Sequence, residues 1–157
     1  MSRSTIGWAW VAGQAVILGA LILLPGSDAW PRPDVLLALA GILFFGGLAL
    51  IAVAALRLGS ALTPTPVPSE RGQLATGGLY RFVRHPIYTG VLTTVAGMTL
   101  RSGSWLHLGV AAASIVFFDR KAAWEEGALH EHYPDYAAYA ARTPRFFPRP
   151  WQRKQFS

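Results

Sequence analysis

The sequence predicts an all-α integral membrane protein of about four transmembrane helices, the last two folded as a helical hairpin. Three observations carry this. Hydrophobic residues make up 52% of the 157 and charged residues only 14%, against roughly 25% charged in an ordinary soluble domain; too few charges remain to cover a water-facing surface. The apolar residues fall in blocks, and the mean hydropathy is +0.34. Lys and Arg, finally, concentrate in only some of the segments between those blocks.

The first block runs from about Ile6 to Leu24 without a charge, close to the ~20 residues that cross a bilayer. It is longer than a signal-peptide core, and Pro25-Gly26-Ser27-Asp28 is no small-residue cleavage site, so it reads as a retained helix. Trp8, Trp10 and Trp30 lie near span ends, where indole favours the lipid–water interface. A turn from Pro25 to Pro33 leads to the second block, Asp34 to about Leu56, closed by Arg57. Gly41, Gly46 and Gly47 in it would let another helix approach closely.

From Arg57 to Tyr80 the chain is polar. Thr63-Pro64-Thr65-Pro66-Val67-Pro68 is incompatible with regular helix, because each proline removes a donor and restricts its predecessor. It reads either as a linker or as one wall of a pocket. Pro86 then opens a helix at a permitted position. The apolar run reaches Leu100, Arg101-Ser102-Gly103-Ser104 breaks it, and Trp105 to Phe118 resumes it. Each run is short of a full span, so a hairpin or a re-entrant pair would fit. The hairpin is favoured because the second helix continues through Asp119 to Trp124 and Glu126 without a breaker. Beyond Phe118 the chain is charged and aromatic, divided by Pro134, Pro144, Pro148 and Pro150. Tyr133, Tyr136, Tyr139 and Ala140 predict a short helix with one aromatic face.

Twelve of the fourteen Lys and Arg lie before the first span, between spans two and three, or after span four; the other two turns hold only Arg32 and Arg101. The positive-inside rule then puts both termini and the segment before Pro86 in the cytoplasm, which four crossings require. The basic tail reads as an anchor to anionic headgroups, and despite a net charge of +6 this placement argues against nucleic acid as a partner. No cysteine is present, which excludes disulfides, thiolate metal sites and a cysteine nucleophile.

The polar residues with chemistry in them are concentrated. Gly77-Gly78-Leu79-Tyr80-Arg81-Phe82-Val83-Arg84-His85-Pro86-Ile87-Tyr88-Thr89-Gly90 packs basic and aromatic residues at the mouth of the third helix. Arg120, Lys121, Glu125, Glu126, His130, Glu131 and His132 lie at the corresponding end of the fourth, and a hairpin makes the two clusters face each other. Adjacent carboxylates beside arginines suit a charged ligand such as an amino acid moiety. The plainer alternatives are a solvated helix face for the glutamates and headgroup anchors for Arg81 and Arg84. No metal site is expected: His130 and His132 point to different sides of a helix, and no H-E-x-x-H occurs. A nucleophile elbow, a P-loop and a Rossmann fingerprint are likewise missing.

Gly-x-Tyr-Arg-x-x-Arg-His-Pro-x-Tyr-x-Gly, here Gly78 to Gly90, resembles the signature of the isoprenylcysteine carboxyl methyltransferase and phospholipid methyltransferase group of integral membrane enzymes. The group's second element is matched by Glu125-Glu126-Gly127-Ala128-Leu129, Tyr136-Ala137-Ala138-Tyr139 and Arg142-Thr143-Pro144-Arg145-Phe146-Phe147-Pro148. The chain departs from it in carrying Tyr133-Pro134 where many members have Phe-Gly.

The chain reads as a single domain over 1–157: two N-terminal transmembrane helices (1–58), a cytoplasmic loop (59–85), and the hairpin with its C-terminal segment (86–157); the resemblance covers about Thr76 to Pro148 and implies that this last segment caps a cofactor. It implies S-adenosylmethionine as cofactor, bordered by Tyr80, Arg84, His85, Tyr88 and the backbone near Gly90. Glu125 or Glu126 would meet its α-amino group and ribose, as a carboxylate meets an ammonium. Arg120 first and Arg142 second would hold the acceptor or the cofactor carboxylate, so that Arg120, Glu126 and Arg142 are the catalytic candidates. The expected activity is methyl transfer to a lipophilic acceptor in a bilayer, an isoprenylcysteine-like carboxylate being favoured, in a bacterial inner membrane. A catalytically silent scaffold of the same family and a membrane lipid reductase using NADPH are the alternatives.

Overall fold

The computed structural model describes residues 2–59 and 74–148. Among these the fold is all-helical: α1 (Arg3–Leu23), α2 (Asp34–Leu58), a single 3-10 turn (Gly78–Arg81), α3 (Pro86–Ser102), α4 (Trp105–His132) and α5 (Tyr136–Arg142). The segment Thr63 to Pro68 and the last basic residues Arg149, Arg153 and Lys154 lie outside the described residues.

Local chemistry sets each boundary. α1 begins earlier than its apolar block because the Ser2 side chain caps it, accepting from the Thr5 backbone N–H at 3.2 Å. It stops where Pro25 forces Leu24 into extended backbone. α2 starts behind Pro33 with Asp34 in its first turn and Arg57 in its last, both favourable to the helix dipole. At 21 and 25 residues, about 32 and 37 Å at 1.5 Å per residue, α1 and α2 are long and apolar enough to cross a membrane. Pro86 opens α3, and Gly103 closes it in left-handed backbone (φ 60°, ψ 28°). After Ser104, α4 runs unbroken for 28 residues to His132. Tyr133 falls in the extended residue that ends α4, so the aromatic face of α5 is built by Tyr136 and Tyr139 alone.

α3 is the central helix, packed against α2, α4 and α1. Its seam with α2 is made by small residues. A Cβ on Gly47 would stand 2.6 Å from the Gly90 carbonyl, one on Gly90 2.8 Å from the Gly47 carbonyl, and one on Gly97 2.6 Å from the Ala40 carbonyl. Of the three α2 glycines expected to allow a close approach, only Gly47 does so; Gly41 and Gly46 face open space. Leu21, Val91, Val95 and Phe118 form the buried core between α1, α3 and α4. Outward, α1 and α2 present Val16, Ile22, Val35, Ile42 and Phe45, and α4 presents Leu106, Ile115 and Val116.

The turns at one end hold each other. Ser27 and Ala29 donate backbone N–H groups to the carbonyls of Ser102 and Gly103, each at 2.9 Å, and Arg32 donates to the carbonyls of Arg101 and Ser102. This pins the α1–α2 turn to the α3–α4 turn and leaves the start of α3 and the end of α4 together at the opposite end.

Candidate functional site

At that opposite end the segment from α5 to Phe146 folds back onto the residues before α3. The Arg84 N–H donates to the Pro144 carbonyl at 2.9 Å and the His85 N–H to the Arg145 carbonyl at 3.1 Å. The Thr89 hydroxyl donates to the Phe146 carbonyl at 2.8 Å, and the Tyr139 hydroxyl to the Tyr80 carbonyl at 2.5 Å. The Arg84 guanidinium reaches further, donating to the carbonyls of Ala140 (2.7 Å) and Thr143. These bonds join sequence stretches nearly 60 residues apart and close a polar chamber over α4.

Glu126 is the hub of that chamber, 9% exposed. Arg84 reaches its Oε1 through Nε and Nη2, both at 3.0 Å. His85 Nε2 lies 3.1 Å from the same oxygen. Arg145 spans both oxygens, Nε to Oε1 at 3.1 Å and Nη2 to Oε2 at 2.8 Å, and extends Nη1 to Asp119 at 2.5 Å. Burial acts to raise the Glu126 pKa. The hydrogen bonds from His85 and Arg145 and the charge of Arg84 outweigh it and hold the carboxyl well below the usual carboxylate range. Arg145 is driven up in turn, chiefly by its bond to Glu126.

Glu125, one position earlier, points to a different environment. It accepts from the Tyr88 hydroxyl, and its Oε2 stands 3.5 Å from His85 Nδ1. Burial dominates here and pushes its pKa up against the lowering effects of His85, Tyr88 and Lys121. The His85 and Tyr88 rings lie parallel, 3° apart in plane with centroids at 5.3 Å. Two neighbouring carboxyls thus have opposite characters: one held as an anion among cations, one buried with its pKa shifted upward.

Beside the hub a cavity of about 290 Å³ is lined by Arg84, Asp119, Ala140, Thr143, Arg145 and Phe146 among others. The hydroxyls of Tyr80 and Tyr136 are buried with no hydrogen-bond partner. Burial raises both their pKa values, and the charge of Glu125 acts on Tyr80 and that of Glu126 on Tyr136 in the same direction. A buried unpaired hydroxyl costs on the order of 1–3 kcal/mol; neither tyrosine lines the cavity.

Of the residues singled out from sequence, Arg84, His85, Tyr88, Glu125 and Glu126 come together, and Tyr80 is buried beside them. Gly90 packs on α2, where a Cβ would meet Gly47 and Ile51. Arg120 is exposed and outside the network, and Arg142 is exposed with its Nε donating to the Ala138 carbonyl of its own helix. The arginine that enters from the C-terminal segment is Arg145. It stands in the Arg-Thr-Pro-Arg stretch already matched to the family but reads from sequence as one more basic residue of the tail. Lys121 was equally anonymous within its charge run. His130 and His132 meet Tyr136 and Tyr133 edge to face, centroids 4.7 Å apart in each case. Among the described residues no three His, Cys, Asp or Glu side chains gather to hold a metal ion.

A helical membrane protein with a charged, chambered site at one end of its bundle is the class that fold and site define. Residues 35–136 match the phospholipid methyltransferase family, and the chain belongs to that family of membrane methyltransferases, as Gly78 to Gly90 implied. Two curated relatives are similar to it. One is the cobalt-zinc-cadmium resistance protein CzcN of Cupriavidus metallidurans, 33% identical over 51% of this chain and 38% of that protein. The other is the nickel-cobalt-cadmium resistance protein NccN of Alcaligenes xylosoxydans xylosoxydans, 31% identical over 95% of this chain and 67% of that protein. The chain therefore spans about two thirds of the longer match and well under half of the other.

Proposed function

We propose that this chain is an S-adenosylmethionine-dependent methyltransferase acting on a lipophilic acceptor at the cytoplasmic face of a bacterial inner membrane. An isoprenylcysteine-like carboxylate is the favoured acceptor. The observation that carries the reading is the juncture of the Gly78–Gly90 signature with Glu125 and Glu126 beneath the segment 136–146, two family motifs separated by about 40 residues of sequence meeting in one chamber. Apolar side chains exposed on α4 as well as on α1 and α2 support crossings beyond α1 and α2, and the placing of Lys and Arg supports both termini in the cytoplasm.

The chamber's own residues divide the work. Arg84 and Arg145 fasten the cap to Glu126 and keep water from the site. Glu125, within reach of Tyr88 and His85, is the carboxyl available to an α-amino group, and the cation-lined cavity between Arg84, Arg145 and Phe146 accommodates a carboxylate and a flat ring. When bound, S-adenosylmethionine supplies a methyl group activated on a sulfonium, so the protein's task is alignment for an in-line displacement. A carboxylate acceptor is ionised at neutral pH and requires no base. An amine acceptor must lose a proton, and His85, 3.5 Å from Glu125 and 3.1 Å from Glu126, is the group placed to take it.

The test is turnover of labelled S-adenosylmethionine by detergent-solubilised protein given whole-membrane lipid. Label should appear in a lipid species together with released S-adenosylhomocysteine. Cofactor binding without turnover in any lipid extract would instead mark a silent scaffold, and calorimetric binding of NADPH but not S-adenosylmethionine would mark a reductase.

A further inference from the structure

Between α1 and α4, one turn from Glu125, lies a buried cation whose charge acts on Glu125 but which, among the described residues, makes no hydrogen bond to the chamber. Lys121 is 4% exposed. Its ammonium makes one hydrogen bond, to the Gln14 side-chain oxygen at 2.7 Å, and sits 5.0 Å from the centroid of the Tyr88 ring. Among the described residues no carboxylate pairs with it, since the Glu125 oxygens face Tyr88 and His85. A buried ammonium with a single neutral acceptor is costly, and such charges persist in helical membrane proteins where they have a ligand to meet. A second donor is stranded on the same seam: the indole N–H of Trp10, one helical turn before Gln14, is buried and has no hydrogen-bond partner among the described residues. Both helices also carry exposed apolar side chains, Trp8 and Val16 on α1 and Ile115 and Val116 on α4, which suit contact with lipid.

We infer that Lys121, tethered by Gln14 and assisted by the Trp10 indole, forms a binding site between α1 and α4 for the anionic oxygens of a membrane amphiphile's headgroup. The proposal deepens the reading above by locating its acceptor: Lys121 touches Tyr88, which touches Glu125 and His85, so a headgroup held there stands beside the chamber while its chain remains in lipid. The shared chemistry is an anionic oxygen group, carboxylate or phosphate.

The experiment measures binding without cofactor. The full chain in nonionic detergent is titrated with dodecanoic acid, dodecyl phosphate and dodecanol, read by calorimetry. At least one anion should bind roughly tenfold or more tightly than the alcohol, the size of one charge-assisted hydrogen bond. Lys121→Met should abolish that ratio and Trp10→Phe should reduce it. The stronger of the two anions identifies the headgroup. Equal binding of all three amphiphiles, or an anion preference that survives Lys121→Met, overturns the inference. Where Lys121→Met does not fold, Gln14→Leu is the second variant: it should lower the anion-to-alcohol ratio, and an unchanged ratio counts against the site. S-adenosylmethionine titrated into the Gln14→Leu sample should bind as in wild type. Loss of cofactor binding in wild type would strike the methyltransferase reading alone and leave the amphiphile measurement intact.

Discussion

Replacing Glu126 by Gln tests whether the chamber is organised as its geometry indicates. The substitution preserves size but leaves two guanidinium groups and an imidazole around a neutral amide. The side chains of Glu126 and Arg84 are only 11% and 13% exposed, whereas Arg145 is 28% exposed and keeps Asp119 as a second partner. Stripping one member from a fully buried charge cluster costs about 3–5 kcal/mol, and solvent screening at Arg145 brings the expected loss to about 2–4 kcal/mol. For a chain of this size that is a fall in melting temperature of roughly 5–15 °C, measurable by thermal scanning in detergent at a fixed rate. The sign with pH follows from the lowered Glu126 pKa. Its contribution is present above the ordinary glutamate range and is lost only as pH falls through a folded-state value well below that range. Wild type should therefore keep its advantage over Glu126→Gln at pH 5, and the two should converge only in strong acid. A variant that melts with wild type at neutral pH, and binds S-adenosylmethionine as tightly, would refute the assignment of Glu126 as the clamp.

Other predictions follow from separate parts of the molecule. Gly97→Ala places a Cβ 2.6 Å from the Ala40 carbonyl and should cost about 1–3 kcal/mol in thermal scans, whereas Gly41→Ala, with nothing in reach, should be neutral or gain up to about 1 kcal/mol from helix propensity. Tyr139→Phe removes the bond to the Tyr80 carbonyl and should cost about 1–2 kcal/mol. The Tyr139 hydroxyl is pushed up to about 12, by burial first, so its stabilisation is complete below about pH 10 and lost as pH rises towards 12; that alkaline loss should be shallower in Tyr139→Phe. Because the chain has no cysteine, single-cysteine reporters are clean. Ala29→Cys should react with a membrane-impermeant maleimide on intact spheroplasts and Ser4→Cys only after permeabilisation, the reverse pattern arguing for inverted orientation.

The fold was legible to the extent that backbone chemistry was written locally. Pro33 and Pro86 mark helix starts, Gly103 a helix end, and the unbroken stretch from Trp105 through Glu126 is one helix, as the lack of a breaker required. Glycine spacing was less informative, because which face of a helix meets a neighbour depends on rotation about its axis: Gly41 and Gly47 look alike in sequence, yet one faces open space and the other a carbonyl. The same limit explains Gly90, whose place in the signature pointed to the chamber while its helix face points to α2. Arg145 escaped notice for a different reason. Its partners are 19 and 26 residues away in sequence, and only the turn after α5 brings it back, so no local pattern distinguished it from the exposed Arg142.

The adjacent glutamates show what geometry adds to a motif. On a helix, neighbouring residues diverge by about 100°, enough here to put Glu126 among Arg84, His85 and Arg145 and to put Glu125 against Tyr88. A carboxylate already shared by two guanidinium groups has little capacity left for a ligand's ammonium, and displacing those groups would release the segment 136–146 that they hold. Glu125 has only a phenol and an imidazole to give up, and burial without a guanidinium leaves it the more responsive to an incoming cation. We therefore propose that Glu126 closes the chamber and that Glu125 serves recognition. It follows that Glu125→Gln should weaken S-adenosylmethionine binding while melting near wild type, whereas Glu126→Gln should lose both. That contrast separates the two roles in one pair of proteins, and a Glu125→Gln variant that melts as early as Glu126→Gln would show that they are one.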